Sequence, residues 1–169
     1  MQIDITSTGV TQAQLGLRAR MLRLEDLRPE METASDLFYE ATRSWYESDG
    51  SGTWAALAES TVAQKASQGA GDPGRPLFAE GNLFASATSP SGPYSVHAIT
   101  VHSALMAVDW NEGGWQIPMV QALGTDPLGP FPRGNHPASW RIPPRPIWPR
   151  GHVIDLLQAK IGELFLRGV

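Results

Sequence analysis

Proline is concentrated in one stretch near the C-terminal end of this 169-residue chain, and that stretch limits the folds available to it. Between Asp126 and Arg150 lie eight of the fourteen prolines: Pro127, Pro130, Pro132, Pro137, Pro143, Pro144, Pro146 and Pro149. Proline lacks a backbone N–H and fixes φ, so it is excluded from helix interiors and central strands. We therefore predict an extended arm over residues 126–150, and Trp140 and Trp148 favour an ordered arm that packs on another surface.

Apolar residues recur at helical spacing in four other places. A first helix is predicted from Thr11, where Thr11 and Gln14 have the spacing of a capping box. The second helix is predicted from a stripe that keeps to one face: Met31, Ala34, Phe38, Ala41 and Trp45. A short helix is predicted over residues 54–68 and a last one over residues 152–167.

Period-two alternation predicts the strands. Residues 2–6 alternate polar and apolar side chains, and residues 94–101 and 105–110 read as two strands of a hairpin. The length favours one domain over residues 1–169. We expect an α+β fold in which an antiparallel sheet of about four strands packs against helices, with the proline-rich arm before the C-terminal helix.

Composition excludes several classes of protein. The chain has no cysteine, so disulfide frameworks, thiolate metal sites and cysteine nucleophiles are absent, as expected of assembly in a reducing cytoplasm. No run of apolar residues is long enough to span a bilayer. The formal net charge of −4 disfavours tight binding to nucleic acid, although a mildly acidic surface suits a channel through which DNA slides.

Histidines and carboxylates do not form a recognisable reaction centre. The four histidines, His97, His102, His136 and His152, lack HxxxH or HExxH spacing. Carboxylates such as Asp109 and Glu112 are close in sequence, but sequence proximity does not give the defined separation across a pocket that a hydrolytic pair needs. The chain also has no nucleophile elbow, P-loop or dinucleotide-binding motif. We therefore predict a protein that is not an enzyme and that holds no cofactor or metal.

Three short segments carry motifs on which a functional prediction can rest. In the first, Trp54, Leu57, Thr61 and Lys65 have helical spacing and are predicted to share one helix face. In the second, which runs from Leu77 to Ser86, Gly81 is predicted to allow a turn where a side chain has no room, and Leu83 begins the next segment. An ordinary amphipathic helix explains the first segment equally well.

The third segment is Ile142-Pro143-Pro144-Arg145-Pro146-Ile147. Prolines on both sides of Arg145 stiffen the backbone, so the guanidinium is presented at low entropic cost. We expect Arg145 to form a bidentate pair with a carboxylate, within the core or across a subunit contact. A surface arginine in a proline-rich loop is the alternative.

Together, in this order along the chain, the three segments resemble the phage virion morphogenesis family, the Mu-like neck and tail-completion proteins. Patterns of that family run W-x-x-L-x-x-x-T-x-x-x-K, then L-x-x-T-G-x-L-x-x-S, then I-P-A-R-P-F. The matching positions here include Trp54, Lys65, Gly81, Pro143 and Pro146.

The resemblance implies a structural virion protein, assembled in the host cytoplasm, that forms a ring in the head–tail connector of a tailed phage. The ring would be a hexamer or dodecamer between connector or stopper proteins and tail-terminator or tail-tube proteins, and genomic DNA would pass through its lumen without specific binding. We expect Trp140, Arg145 and Trp148 at a subunit contact.

Two other functions stay open at this point. A tail terminator, which caps the tail tube, belongs to the same structural class and is not separated from a completion protein by sequence. A non-viral binding module is the alternative from another class.

Overall fold

A computed structural model describes residues 7–112, 115–123 and 142–166. Within these ranges the helices are α1 (Ser7–Glu25), α2 (Arg28–Glu47), α3 (Glu59–Ser67), α4 (Asn82–Thr88), α5 (Ile117–Leu123) and α6 (His152–Leu166). The strands are β1 (Ser95–Ile99), β2 (Ala104–Val108), β3 (Asn111–Glu112) and β4 (Trp115–Gln116), all between α4 and α5.

Helix α2 is the centre of the fold. Pro29 lies in its first turn, where a missing N–H costs nothing, and the predicted stripe that ends at Trp45 faces inward. Further α2 side chains are also buried: Ser35, Tyr39, Thr42 and Tyr46. These further side chains are buried because α2 contacts α4, α6 and the β1–β2 hairpin.

The predicted hairpin is confirmed. Strands β1 and β2 pair antiparallel from Ser95 opposite Val108 to Ile99 opposite Ala104. The backbone N–H of Thr100 donates to the carbonyl oxygen of Ser103 at 2.8 Å and closes the connection. Because side chains alternate along a strand, one face of the hairpin packs on α2 and α4 and the other faces outward.

The prediction of one sheet of about four strands is wrong. The described strands form two separate two-stranded pairs, β1 with β2 and the two-residue pair β3 with β4. The strand predicted over residues 2–6 lies outside the described residues. An isolated hairpin needs cover from other elements, and here α2 and α4 supply that cover in place of further strands.

Helix boundaries also differ from expectation. Helix α1 begins at Ser7, so Thr11 is inside it and does not cap it. Helix α3 begins at Glu59, which leaves Trp54 and Leu57 ahead of the helix, and the prediction that Trp54, Leu57, Thr61 and Lys65 share one helix face is wrong. Helix α6 agrees with the predicted last helix within a residue.

The core is aromatic and lies between α2, α4 and the segment after Pro146. Its buried members are Trp45, Tyr46, Trp54, Leu83, Ala87 and Ile147. The Tyr46 ring is fully buried and makes edge contacts with the rings of Trp54 and Phe84, at centroid distances of 5.2 and 5.5 Å. Residues from all three sequence motifs therefore contribute to one core.

Candidate functional site

The first and third motif segments meet at the carbonyl oxygen of Pro146. The indole Nε1 of Trp45 donates to this oxygen at 2.8 Å, and that of Trp54 donates to it at 3.1 Å. Both tryptophans are buried, so their N–H groups need a partner inside the protein. Pro146 supplies that partner, because proline has no N–H to donate but its carbonyl oxygen accepts hydrogen bonds.

Arg145 binds the segment that follows Trp54. Its Nε and Nη2 donate to the carbonyl oxygen of Ala55 at 3.0 and 2.9 Å, and Nη2 also lies 3.3 Å from the carbonyl oxygen of Ala56. The residue is 4% exposed, and this burial lowers the pKa of the guanidinium, although an arginine stays charged. Among the described residues its partners are carbonyl oxygens, so the predicted carboxylate pair is not found there.

Lys65 makes a second buried cation nearby. The residue is 9% exposed, and its Nζ donates to the carbonyl oxygen of Arg75 at 2.6 Å. Burial lowers the pKa of Lys65, the nearby Asp72 carboxylate raises it, and the positive charge of Arg145 lowers it further. Arg75 in turn donates from Nη2 to the carbonyl oxygen of Tyr46 at 2.9 Å and lies over the ring of Phe78. Lys65 therefore fastens this loop to α3, and Arg75 fastens it to α2.

The second motif segment forms the start of α4. Gly81 has a φ of 82° at the residue before the helix, a conformation that side chains disfavour. A Cβ at Gly81 would meet no atom within 4 Å, so backbone conformation rather than crowding favours glycine here. Leu83 is buried in the core, and the Ser86 hydroxyl accepts from the Tyr94 N–H at 3.0 Å, which ties α4 to the start of the hairpin.

Side chains from all three segments line a cleft of about 920 Å³. The first segment contributes Leu57, Thr61 and Lys65, the second contributes Phe78 and Gly81, and the third contributes Pro143 and Arg145. Gln121 of α5 closes part of the cleft, and its carbonyl oxygen accepts from the Arg145 N–H at 2.7 Å. Sequence reasoning missed α5, because the seven-residue helix is too short to show a period.

No family model, no curated protein and no solved structure matches the chain. The family resemblance therefore stands on the three sequence motifs alone. In the described ranges, no helix combines the length and the apolar character needed to cross a membrane.

The charged side chains that line the cleft, Lys65, Glu80 and Arg145, form hydrogen bonds within the chain. The two cations already donate to backbone carbonyls, and the described residues contain no group of three histidines or carboxylates that could hold a metal ion. The hydroxyl of Ser35 lies 3.0 Å from His97 Nε2, but Ser35 is almost fully buried under the hairpin, where a substrate has no access. The hydrogen bonds at this site hold segments of the chain together.

The residues predicted at a subunit contact have different locations. Trp140 lies outside the described residues. Arg145 is buried within its own chain, and the half-buried Trp148 packs its ring on Phe38 at a centroid distance of 5.3 Å. Pro143 lines the cleft, and Pro146 accepts the two indole hydrogen bonds. A contact between subunits at Trp148 remains a prediction that a single chain does not test.

Proposed function

We propose that this chain is a structural virion protein that assembles into a ring in the head–tail connector of a tailed phage, where it completes the tail or joins it to the capsid. One observation carries the proposal. The first and third segments that resemble the phage family are about ninety residues apart, yet they bond to each other through Arg145 and Pro146, and Leu83 of the second segment is buried in the same core.

The chemistry at this convergence favours a scaffold. Polar groups that an enzyme would direct at a substrate here donate to carbonyl oxygens of the same chain. The Arg145 guanidinium donates to the Ala55 carbonyl, and the Trp45 and Trp54 indoles donate to the Pro146 carbonyl. Such bonds fix loops that carry no regular hydrogen-bonding pattern of their own. A subunit that must present fixed surfaces to several neighbours benefits from loops held in this way.

Exposed apolar side chains favour assembly. Five large ones on α1 are between 50% and 63% exposed: Leu15, Leu17, Met21, Leu22 and Leu24. Several large apolar side chains exposed together on one element are typical of an interaction site. The acidic net charge of −4 suits a ring whose lumen passes DNA without gripping it.

Mass spectrometry of purified virions tests the proposal directly. The chain should be present in the particle at a ring-like copy number, and its absence from virions would contradict the proposal. Deletion of the gene should leave filled heads and finished tails unjoined under the electron microscope.

The same deletion separates the alternatives. Tails of uncontrolled length would identify a tail terminator, because length control fails when the tube is not capped. Normal virions after deletion would leave the non-viral binding module as the function to pursue.

A further inference from the structure

Helix α1 extends away from the rest of the chain with apolar residues on two opposite sides. Leu15, Ala19 and Leu22 form one line, and Leu17, Met21 and Leu24 form another about 200° away around the axis. Arg18 lies between the lines on one side of the helix, next to the first line, and Arg20 lies between them on the opposite side. A helix with apolar surface on both sides is normally buried, but here all five large side chains are at least half exposed.

The base of α1 is fixed. Arg23 Nη2 lies 2.6 Å from Glu30 Oε1, which joins α1 to α2 across their connection. The Leu27 N–H donates to the carbonyl oxygen of Val101 at 2.9 Å, and His102 Nε2 lies 3.3 Å from the Leu24 carbonyl oxygen. These contacts hold α1 at the tip of the β1–β2 hairpin, so α1 is a projecting arm of defined direction.

The outer face of the hairpin is also apolar and uncovered. Because side chains alternate along paired strands, this face carries Val96, Ala98, Leu105 and Ala107. Leu105 is 54% exposed and Val96 is 37% exposed. The inner face is occupied, since His97 bonds to Ser35 and Val108 packs on the core. A sheet with one bare apolar face is incomplete as a folded layer.

The two uncovered surfaces match in length and in charge. The apolar part of α1 from Leu15 to Leu24 spans about 14 Å at 1.5 Å per residue, close to a five-residue strand of about 16 Å. The exposed Arg18 and Arg20 form no ion pair within the described residues, and neither do Asp109 and Glu112, which are exposed just beyond β2. Pairing of two α1 helices would instead bring unpaired arginines together.

We propose that α1 of one copy packs the line of Leu15, Ala19 and Leu22 across the outer face of the β1–β2 hairpin of a second copy, with Arg18, which lies beside that line, near the acidic Asp109 and Glu112. The occupant is a second copy of this chain because α1 supplies the complementary charge and length. This inference rests on the proposed ring and names its contact. The two surfaces differ, so the contact is head-to-tail, and a head-to-tail contact whose rotation between copies closes gives a ring.

The absence of cysteine allows a clean crosslinking test. The double variant Leu22→Cys, Leu105→Cys should give a ladder of covalent oligomers on mild oxidation, and a mixture of the two single variants should give mixed dimers. The matched control is Leu22→Cys with Leu156→Cys, since Leu156 is equally exposed but lies on α6. Equal ladders in test and control, or crosslinks only within one chain, would overturn the inference.

A charge reversal tests the contact independently. Native mass spectrometry should show that Arg18→Glu reduces the oligomer to monomers, whereas Arg20→Glu, on the opposite side of α1, is the matched control and should leave it assembled. Adding Asp109→Lys and Glu112→Lys to the Arg18→Glu variant should restore the oligomer, which simple misfolding of α1 does not predict. A wild-type chain that is monomeric would overturn the inference.

The two proposals fail in different ways. If the protein is oligomeric but shows no crosslink between position 22 and position 105 and no response to charge reversal, the ring contact lies elsewhere. That result would contradict only the inference about α1. A crosslinked oligomer that is absent from virions overturns the virion role and leaves the contact standing.

Discussion

Trp45 and Trp54 donate their indole N–H groups to the same acceptor, the carbonyl oxygen of Pro146, at 2.8 and 3.1 Å. A carbonyl oxygen has two lone pairs, so both bonds form without competition. The shared acceptor joins the end of α2, the loop after it and the segment before α6 at one atom.

This sharing predicts non-additive stability. After Trp45→Phe or Trp54→Phe alone, Pro146 keeps one indole donor, but the double variant leaves its carbonyl with neither. We expect the double variant to lose about 1 kcal/mol more than the sum of the single losses, the cost of an unsatisfied buried acceptor. Urea unfolding of the four proteins measures the coupling. Trp45→Phe combined with Trp110→Phe is the control pair, and strict additivity in both pairs would contradict the prediction.

Arg145→Lys should destabilise the protein. A lysine cannot place two N–H groups on the Ala55 carbonyl from the planar geometry of the guanidinium, and its charge would remain buried. We expect a loss of about 1–3 kcal/mol in the free energy of unfolding. Arg150→Lys, an exposed position five residues on, should change it by less than about 0.5 kcal/mol. Similar effects at both positions would show that the Arg145 bonds contribute little.

Tyr46→Phe should leave the protein as stable or make it more stable at neutral pH. The Tyr46 ring is fully buried, and within the described residues its hydroxyl has no hydrogen-bond partner. Removing that hydroxyl relieves a desolvation cost of about 1 kcal/mol, whereas Tyr46→Ala should cost about 3–5 kcal/mol through the cavity it leaves. Thermal and urea unfolding distinguish these outcomes, and a large loss in Tyr46→Phe would reveal a partner for the hydroxyl.

Burial also raises the pKa of Tyr46 above its ordinary value. A raised pKa in the folded state means that the unfolded chain ionises first as the pH rises, so stability is present below about pH 10 and is lost above it. The free energy of unfolding of the wild type should therefore fall more steeply than that of Tyr46→Phe between pH 9 and 11. Parallel curves for the two proteins would argue against this burial.

Alanine substitutions at Gly92 and at Gly162 should have opposite effects on stability. A Cβ at Gly92 would lie 2.4 Å from the Ser86 Cα and the Ala85 carbonyl oxygen, which are backbone atoms that cannot move aside. Gly162 lies inside α6 with open space around it. Gly92→Ala should lower the melting temperature. Gly162→Ala should stabilise α6 by about 0.5–1 kcal/mol. A tolerated Gly92→Ala would mean that α4 and the hairpin are not in close contact there.

Local patterns in the sequence predicted the elements that have a clear period. The α2 stripe, the α6 stripe and the β1–β2 alternation each repeat often enough for the period to show, and the structure has all three. Helices α4 and α5 have seven residues each, too few for a period to show, so the sequence did not predict them. Trp54 was assigned to a helix because its spacing to Lys65 suits one, although four residues with positive φ at 49–52 direct the chain into a turn before it.

The candidate functional site is formed by contacts between distant parts of the chain, which sequence patterns do not predict. Sequence singled out Arg145 as a rigidly presented guanidinium, yet its partners are carbonyl oxygens ninety residues earlier, and every residue has such a carbonyl. A pattern of side chains holds no information about which backbone carbonyl is left without a partner. The same holds for Lys65 and the carbonyl oxygen of Arg75.

The sequence by itself determined where α2, α6 and the hairpin form, that Pro29 lies in the first turn of α2, and that no cysteine chemistry is present, because local spacing and composition suffice for each. Only the tertiary structure decided that the described strands stay in separate pairs, that the three motifs converge on one core, and that α1 and the outer hairpin face are left uncovered. Those outcomes depend on which surfaces bury one another, a property of the whole packed chain that no single segment encodes.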